Sequence, residues 1–150
     1  MTAQDINTPF YSIGSAARML NVSVQTLRMY ENEGLIVPLR TTGGHRFYSN
    51  ADIERLECIR KAINEEKISI NGMKSIYAMI PCWDIIQCSE KERGICPAYK
   101  GHSGGCWTYK HTITVCAGRE CRLCEVYKLS SNCGQIKESI ARISTREEVV

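Results

Sequence analysis

No run in the 150 residues approaches the roughly 18 consecutive apolar positions needed to cross a bilayer, which excludes a helical membrane span. The opening MTAQDINTPF has neither a basic start nor a long apolar core, so no secretory leader is expected and the chain is placed in the cytoplasm, with no membrane partner. A dinucleotide fingerprint, a phosphate loop and a nucleophile with a recognisable base are all missing, so a substrate-transforming site has no visible parts and the chain is not expected to be an enzyme. Charge of one sign is missing too. Residues 1–80 carry 9 Lys+Arg against 8 Asp+Glu, and the remainder 10 against 8, a net +3. Bulk charge therefore selects no polyanionic partner, and any nucleic-acid reading rests on where the basic residues sit. Long heptads are also absent, which removes the usual route to a coiled-coil pair.

Cysteine is what the sequence has in excess. Nine in a reducing compartment read as metal ligands or redox groups before they read as structural disulfides. Cys58 stands apart and is expected as an ordinary exposed residue or one covered at a subunit contact; the other eight lie between Cys82 and Cys133.

The first 80 residues read as helices. Ser12 caps a helix with Ile13, Ala16, Ala17 and Leu20 at helical spacing, and Asn21 is a left-handed stop. Ser23 caps a second helix that turns Leu27 inward, leaves Gln25, Thr26, Arg28 and Met29 on or near the outer side, and ends at Gly34. LRTTGGHRFY then reads as a hairpin turning at Gly43-Gly44, with Arg40, His45, Arg46 and Tyr48 around it as a wing suited to phosphate oxygens. Ser49 and Asp52 form a capping-box start for a helix with an Ile53, Leu56, Ile59, Ile63 stripe. Ser69 opens another, with Ile70, Met73, Ile76, Tyr77 and Ile80 on one face, stopped by Pro81.

The stretch TLRMYENEGLIVPLRTTGGHRFYSNADIERL resembles the DNA-binding domain of the MerR family of bacterial transcription regulators, over about Tyr11 to Ile80. The resemblance implies a winged helix-turn-helix that binds double-stranded DNA as a homodimer on a two-fold symmetric promoter operator, with RNA polymerase as a further partner. Carried over by position, it implies DNA contacts from Thr26, Arg28 and Tyr30 in the second helix and Arg40, His45, Arg46 and Tyr48 in the wing; Gln25 joins them from its outward position. The chain departs from the family plan after this point. Members continue into a long helix that pairs with its partner, whereas Pro81-Cys82 interrupts any such helix, and only Ile136, Ile140 and Ile143 offer a second, short candidate.

From Pro81 onward glycines cluster and cysteine recurs in a degenerate duplication. Cys82-Trp83, Cys88, Cys96 and Tyr99 answer Cys106-Trp107, Cys116, Cys124 and Tyr127, and the second copy adds Cys121 and Cys133. So little aliphatic content cannot offset chain entropy by burial, so covalent or coordinate links are expected to hold these residues. The eight late cysteines (Cys82, Cys88, Cys96, Cys106, Cys116, Cys121, Cys124 and Cys133) are the expected metal ligands, twice the four that zinc or an iron–sulfur cluster takes. Cys116-x4-Cys121-x2-Cys124 has the local spacing of a plant-type ferredoxin loop, and Pro97 follows Cys96 as in bacterial cluster runs. Zinc would ordinarily show two short knuckles, and only Cys121-Arg-Leu-Cys124 qualifies, although His102 and His111 could replace a thiolate. Thiol/disulfide switching without metal stays open as a third choice. The repeated C-W pattern also resembles a two-CW cysteine-rich domain.

The expected fold is mainly α: a winged helix-turn-helix over 1–80, a small irregular, metal-stabilised cysteine-rich domain over 81–134, and a short C-terminal helix and tail over 135–150. The expected function is sequence-specific regulation of transcription in response to redox state, oxygen or metal. Two alternatives stand beside it: DNA binding with purely structural zinc, and a redox or electron-transfer module.

Overall fold

The computed structural model describes residues 5–101, 103–111, 114–132, 136, 138 and 141. The chain divides into two compact units, Met1–Ile68 and Ser69–Val150.

In the first unit, β1 (Tyr11–Ser12) leads directly into α1 (Ile13–Leu20), whose N-terminus is capped by the Ser12 hydroxyl accepting from the Ser15 N–H. Asn21 ends α1 in the left-handed region (φ 55°), which a short polar side chain tolerates. α2 (Val24–Asn32) follows at once, capped by Ser23 accepting from the Thr26 N–H. The wing strands β2 (Leu39–Arg40) and β3 (Arg46–Tyr48) pair antiparallel with Arg40 opposite Arg46, and β1 pairs with the other edge of β3, giving the order β1-β3-β2. Thr41 donates its N–H to the His45 carbonyl (2.9 Å) and Gly44 to that of Thr41 (2.9 Å), with Gly44 at φ 80°, so the loop is a turn followed by a left-handed residue. Only Gly44 of the glycine pair requires that conformation.

α3 (Asn50–Asn64) begins with the expected capping box, in which Ser49 N–H donates to Asp52 (2.8 Å) and Asp52 N–H to the Ser49 hydroxyl (3.1 Å). Its face of Ile53, Leu56 and Ile59 meets Ala16, Ala17, Leu20, Leu27 and Leu35 in a core where all are buried. Two arginines on α3 tie the earlier helices down. Arg55 is fully buried and its Nε donates to the Leu35 carbonyl (2.7 Å), while Arg60 Nη1 donates to the Leu20 carbonyl and satisfies the end of α1.

The second unit opens with α4 (Ile70–Ala78), capped by Ser69, with Met73, Tyr77 and Ile80 buried together with Val126, Tyr127 and Ile136. Four short helices follow: α5 (Cys82–Ile85), α6 (Glu90–Ile95), α7 (Pro97–Lys100) and α8 (Glu125–Leu129), with single 3-10 turns at Cys106–Thr108 and Cys121–Leu123. These residues are more regular than the sequence pattern predicts. The reason is local: Ser89 and Glu92 form a capping box for α6, and Pro97 occupies the first position of α7, where a missing N–H costs nothing. Ile136 is helical and buried, whereas Ile140, Ile143 and most of 135–150 lie outside the described residues.

Candidate nucleic-acid interface and cysteine centre

The exposed side of α2 and the wing are joined through one carboxylate. Glu31, in the last turn of α2, accepts from Arg40 Nε (3.1 Å) and Nη2 (2.5 Å) on β2, and also from Arg46 Nε on β3. Burial opposes ionisation of Glu31, but the hydrogen bonds from Arg40 and Arg46 outweigh it and hold the carboxyl below its ordinary 4.5. Two guanidinium groups share one carboxylate, so the trio keeps a net positive charge beside the exposed Gln25, Arg28 and His45, with Thr26 half-buried. Arg46 and, more weakly, Arg28 favour ionisation of the Tyr48 hydroxyl against the effect of burial.

Two residues assigned to DNA contact lie beneath this surface instead. Tyr30 and Tyr48 are 4% and 0% exposed, and burial, reinforced by Glu31, pushes the Tyr48 phenol up to about 12. Their rings support the helix and the wing from below. The Tyr48 hydroxyl is itself buried, because a large amphipathic ring behind a short polar-faced helix fills the core before it faces water. Sequence reading also missed Glu31 and Arg55 as organising residues; a lone carboxylate followed by arginines 9 and 15 positions later is a signal only once the wing is folded back.

The second unit carries the thiols. Cys82, Cys88, Cys96, Cys106, Cys116, Cys121 and Cys124 are all half-buried and free; Cys133 lies outside the described residues. Cys58 is half-buried and disulfide-bonded, contrary to the exposed or subunit-covered residue expected of it, so its distance along the sequence from other cysteines did not decide its chemistry.

The duplication seen in sequence is a duplication in space. In each copy the C-W pair opens a helical turn, and the later cysteine, Cys96 or Cys124, sits in extended backbone just before a short helix that carries the tyrosine. Within each copy tryptophan and tyrosine meet edge to face, Trp83 on Tyr99 at 5.1 Å and 90°, Trp107 on Tyr127 at 5.2 Å and 88°. Each pair walls one hollow. The first is lined by Cys82, Cys88 and Cys96 and the second by Cys121 and Cys124, each about 20 Å³; Cys106, Cys116 and His111 border both.

The equivalent cysteines of the two copies face each other. The side chains of Cys82 and Cys106 interact directly, which lowers the Cys82 thiol below its ordinary value and, together with burial, raises Cys106. Burial, then neighbouring sulfurs, push Cys116 up to about 11 and also raise Cys88 and Cys121. Among the described residues no three His, Cys, Asp or Glu side chains stand close enough together to hold a single metal ion.

Residues 11–79 match the family model described as MerR HTH family regulatory protein. HspR of Streptomyces coelicolor is 41% identical over 73 residues, 49% of this chain and 48% of that protein. The HTH-type transcriptional activator TipA of the same organism is 48% identical over 50 residues, 33% of this chain and 20% of TipA. The HTH-type transcriptional regulator ZntR of Escherichia coli is 42% identical over 53 residues, 35% of this chain and 38% of ZntR. The chain thus spans less than half the length of these relatives, and no solved structure matches it. No helix among the described residues is long and apolar enough to cross a membrane. With its paired helices, antiparallel wing and matching sequence, the stretch from residue 11 to 79 is a helix-turn-helix domain of the MerR family, the domain of DNA-binding transcription regulators.

Proposed function

We propose that the chain is a cytoplasmic, sequence-specific transcription regulator that binds a promoter operator as a homodimer, and that its cysteines hold an iron–sulfur or zinc centre whose state biases DNA binding. The observation that carries the DNA-binding part is the Glu31 clamp, which holds Arg40 and Arg46 of the wing against the helix that carries Gln25, Thr26 and Arg28. A helix in the major groove and a basic hairpin on the adjacent backbone divide the labour between base edges and phosphates. Thr26, Gln25 and Arg28 would meet bases and nearby phosphates, and Arg40, His45 and Arg46 the backbone. Tyr30 and Tyr48 would act by supporting them. A regulator that reshapes its operator presents the promoter to RNA polymerase, which is the further partner proposed.

For the centre, the support is seven half-buried thiols gathered about two hollows in a stretch poor in aliphatic side chains. A metal cation relieves the mutual repulsion of ionised sulfurs and crosslinks the segments that carry them. Occupancy or oxidation then becomes the difference that a two-state regulator reads.

The test begins with operator selection from random duplexes by the full-length protein, followed by binding titrations across salt. Arg28→Ala and Arg46→Ala should each weaken binding and reduce the salt slope by about 1. Unchanged affinity and slope in both variants would overturn the interface.

A further inference from the structure

We infer that Cys82 and Cys106 are a redox pair: when no metal is bound to these thiols, a small disulfide oxidant closes them into a reversible Cys82–Cys106 disulfide that ties the first copy of the cysteine repeat to the second. The pair deepens the proposed function, from which it takes only the premise that the state of the cysteines is read. Contact and position both point to it.

Cys82 and Cys106 occupy the same place in the two copies, each the first residue of a helical turn and each followed by a tryptophan. Their side chains interact directly, and both residues border the first hollow. For Cys88, Cys116 and Cys121, by contrast, the surrounding sulfurs act as charges rather than as hydrogen-bond partners. Two thiols already in contact need the least chain movement to reach an S–S bond of about 2.05 Å.

The tryptophans hold the pair in place. Trp83 packs edge to face on Tyr99, while Trp107 meets both Tyr77 (5.2 Å, 64°) and Tyr127 (5.2 Å, 88°). The backbone beside each sulfur is thereby fixed, so when one thiol reacts the other already stands next to it, and closure outruns capture of a second oxidant molecule. Both cysteines are half-buried, which leaves them within reach of a solute.

The exchange balances with the oxidant alone. One thiol of the pair loses its proton, and its thiolate attacks a sulfur of the oxidant R–S–S–R, forming a mixed disulfide and releasing RS⁻. The partner thiolate then attacks the protein sulfur of that mixed disulfide, forming the Cys82–Cys106 bond and releasing the second RS⁻. Two electrons pass from the cysteines to the oxidant, and the two thiol protons end on two RSH.

Trypsin leaves Cys106 as the one cysteine of residues 101–110 and places Cys82 with Cys88 on residues 75–91, where cleavage after Trp83 separates them. The full-length chain, purified without oxygen and assayed for zinc and iron, is exposed to glutathione disulfide both as purified and after chelation. Remaining thiols are then alkylated and disulfides mapped by mass spectrometry, with any bridge present before oxidant, that of Cys58 included, scored separately. In the chelated sample Cys82 and Cys106 should lose alkylation together and be recovered joined, and dithiothreitol should restore both. Cys106→Ser should leave Cys82 as a mixed disulfide with glutathione, and Cys82→Ser the converse; the wild-type map stands without either variant. A wild type in which the two stay alkylated, or end joined to other cysteines, overturns the pair. Closure in a chain that carries no metal as purified and takes up none upholds the pair and removes the metal centre from the proposed function, whereas closure only after chelation upholds both.

Discussion

At the scale of single residues, Glu31 concentrates more of the candidate interface than any arginine it holds. Its carboxylate has three donors from two strands, so replacing it by glutamine removes charge-assisted hydrogen bonds while nearly preserving shape. Glu31→Gln should lower unfolding stability at neutral pH by about 1–2 kcal/mol, measured by urea denaturation. The pH dependence has a definite sign. Because the folded-state carboxyl is held below the ordinary 4.5, its contribution is complete above that value and is lost as pH falls through the depressed one. The gap between wild type and Glu31→Gln should therefore narrow below pH 4.5 and stay constant above it; a gap that widened on acidification would refute the clamp. Gly105 is a second point of constraint, since a Cβ there would overlap the six-membered ring of Trp107. Gly105→Ala should destabilise the second unit by about 1–3 kcal/mol, with a matching change in tryptophan fluorescence.

At the scale of elements, α3 positions α2 from behind. The buried Arg55 reaches the carbonyl of Leu35, just past the end of α2, and a neutral replacement leaves that connection unmade. Arg55→Met should cost about 2–4 kcal/mol and weaken operator binding although residue 55 has no exposed surface. Equal stability and affinity in the variant would show that α2 is held by apolar packing alone. Much of this level was legible beforehand. The caps at Ser12, Ser23, Ser49 and Ser69 and the left-handed Asn21 involve partners only a few residues away, so the local string determines them. Depth was not legible: Tyr30 and Tyr48 have the same polar tip whether it meets phosphate or the underside of a helix.

At the scale of the whole molecule, the proposal requires the cysteine centre to change what the DNA-binding part does. Loaded and metal-stripped protein should differ in operator affinity by about fivefold or more, the lower range of measured couplings between sites. Titrations of both forms at one salt concentration check this, and identical affinities would leave the centre purely structural. Sedimentation of the protein–operator complex should give two chains per duplex; one chain per duplex would remove the homodimer from the proposal.

The amino-acid string alone was enough for the helix-turn-helix, its wing, the chain's cysteine excess and the doubled C-W pattern, because each depends on short spacings along the backbone. Folding decided what those pieces do to one another. It turned one glutamate into the joint between helix and wing, put two tyrosines under the surface, and set Trp83 on Tyr99 and Trp107 on Tyr127 beside separate thiol-lined hollows. It also oriented His111 with one nitrogen on a carbonyl and the other toward sulfur. These relations join residues whose spacing carries no periodic signal, and a side chain's partners and burial are properties of the packed chain rather than of its order.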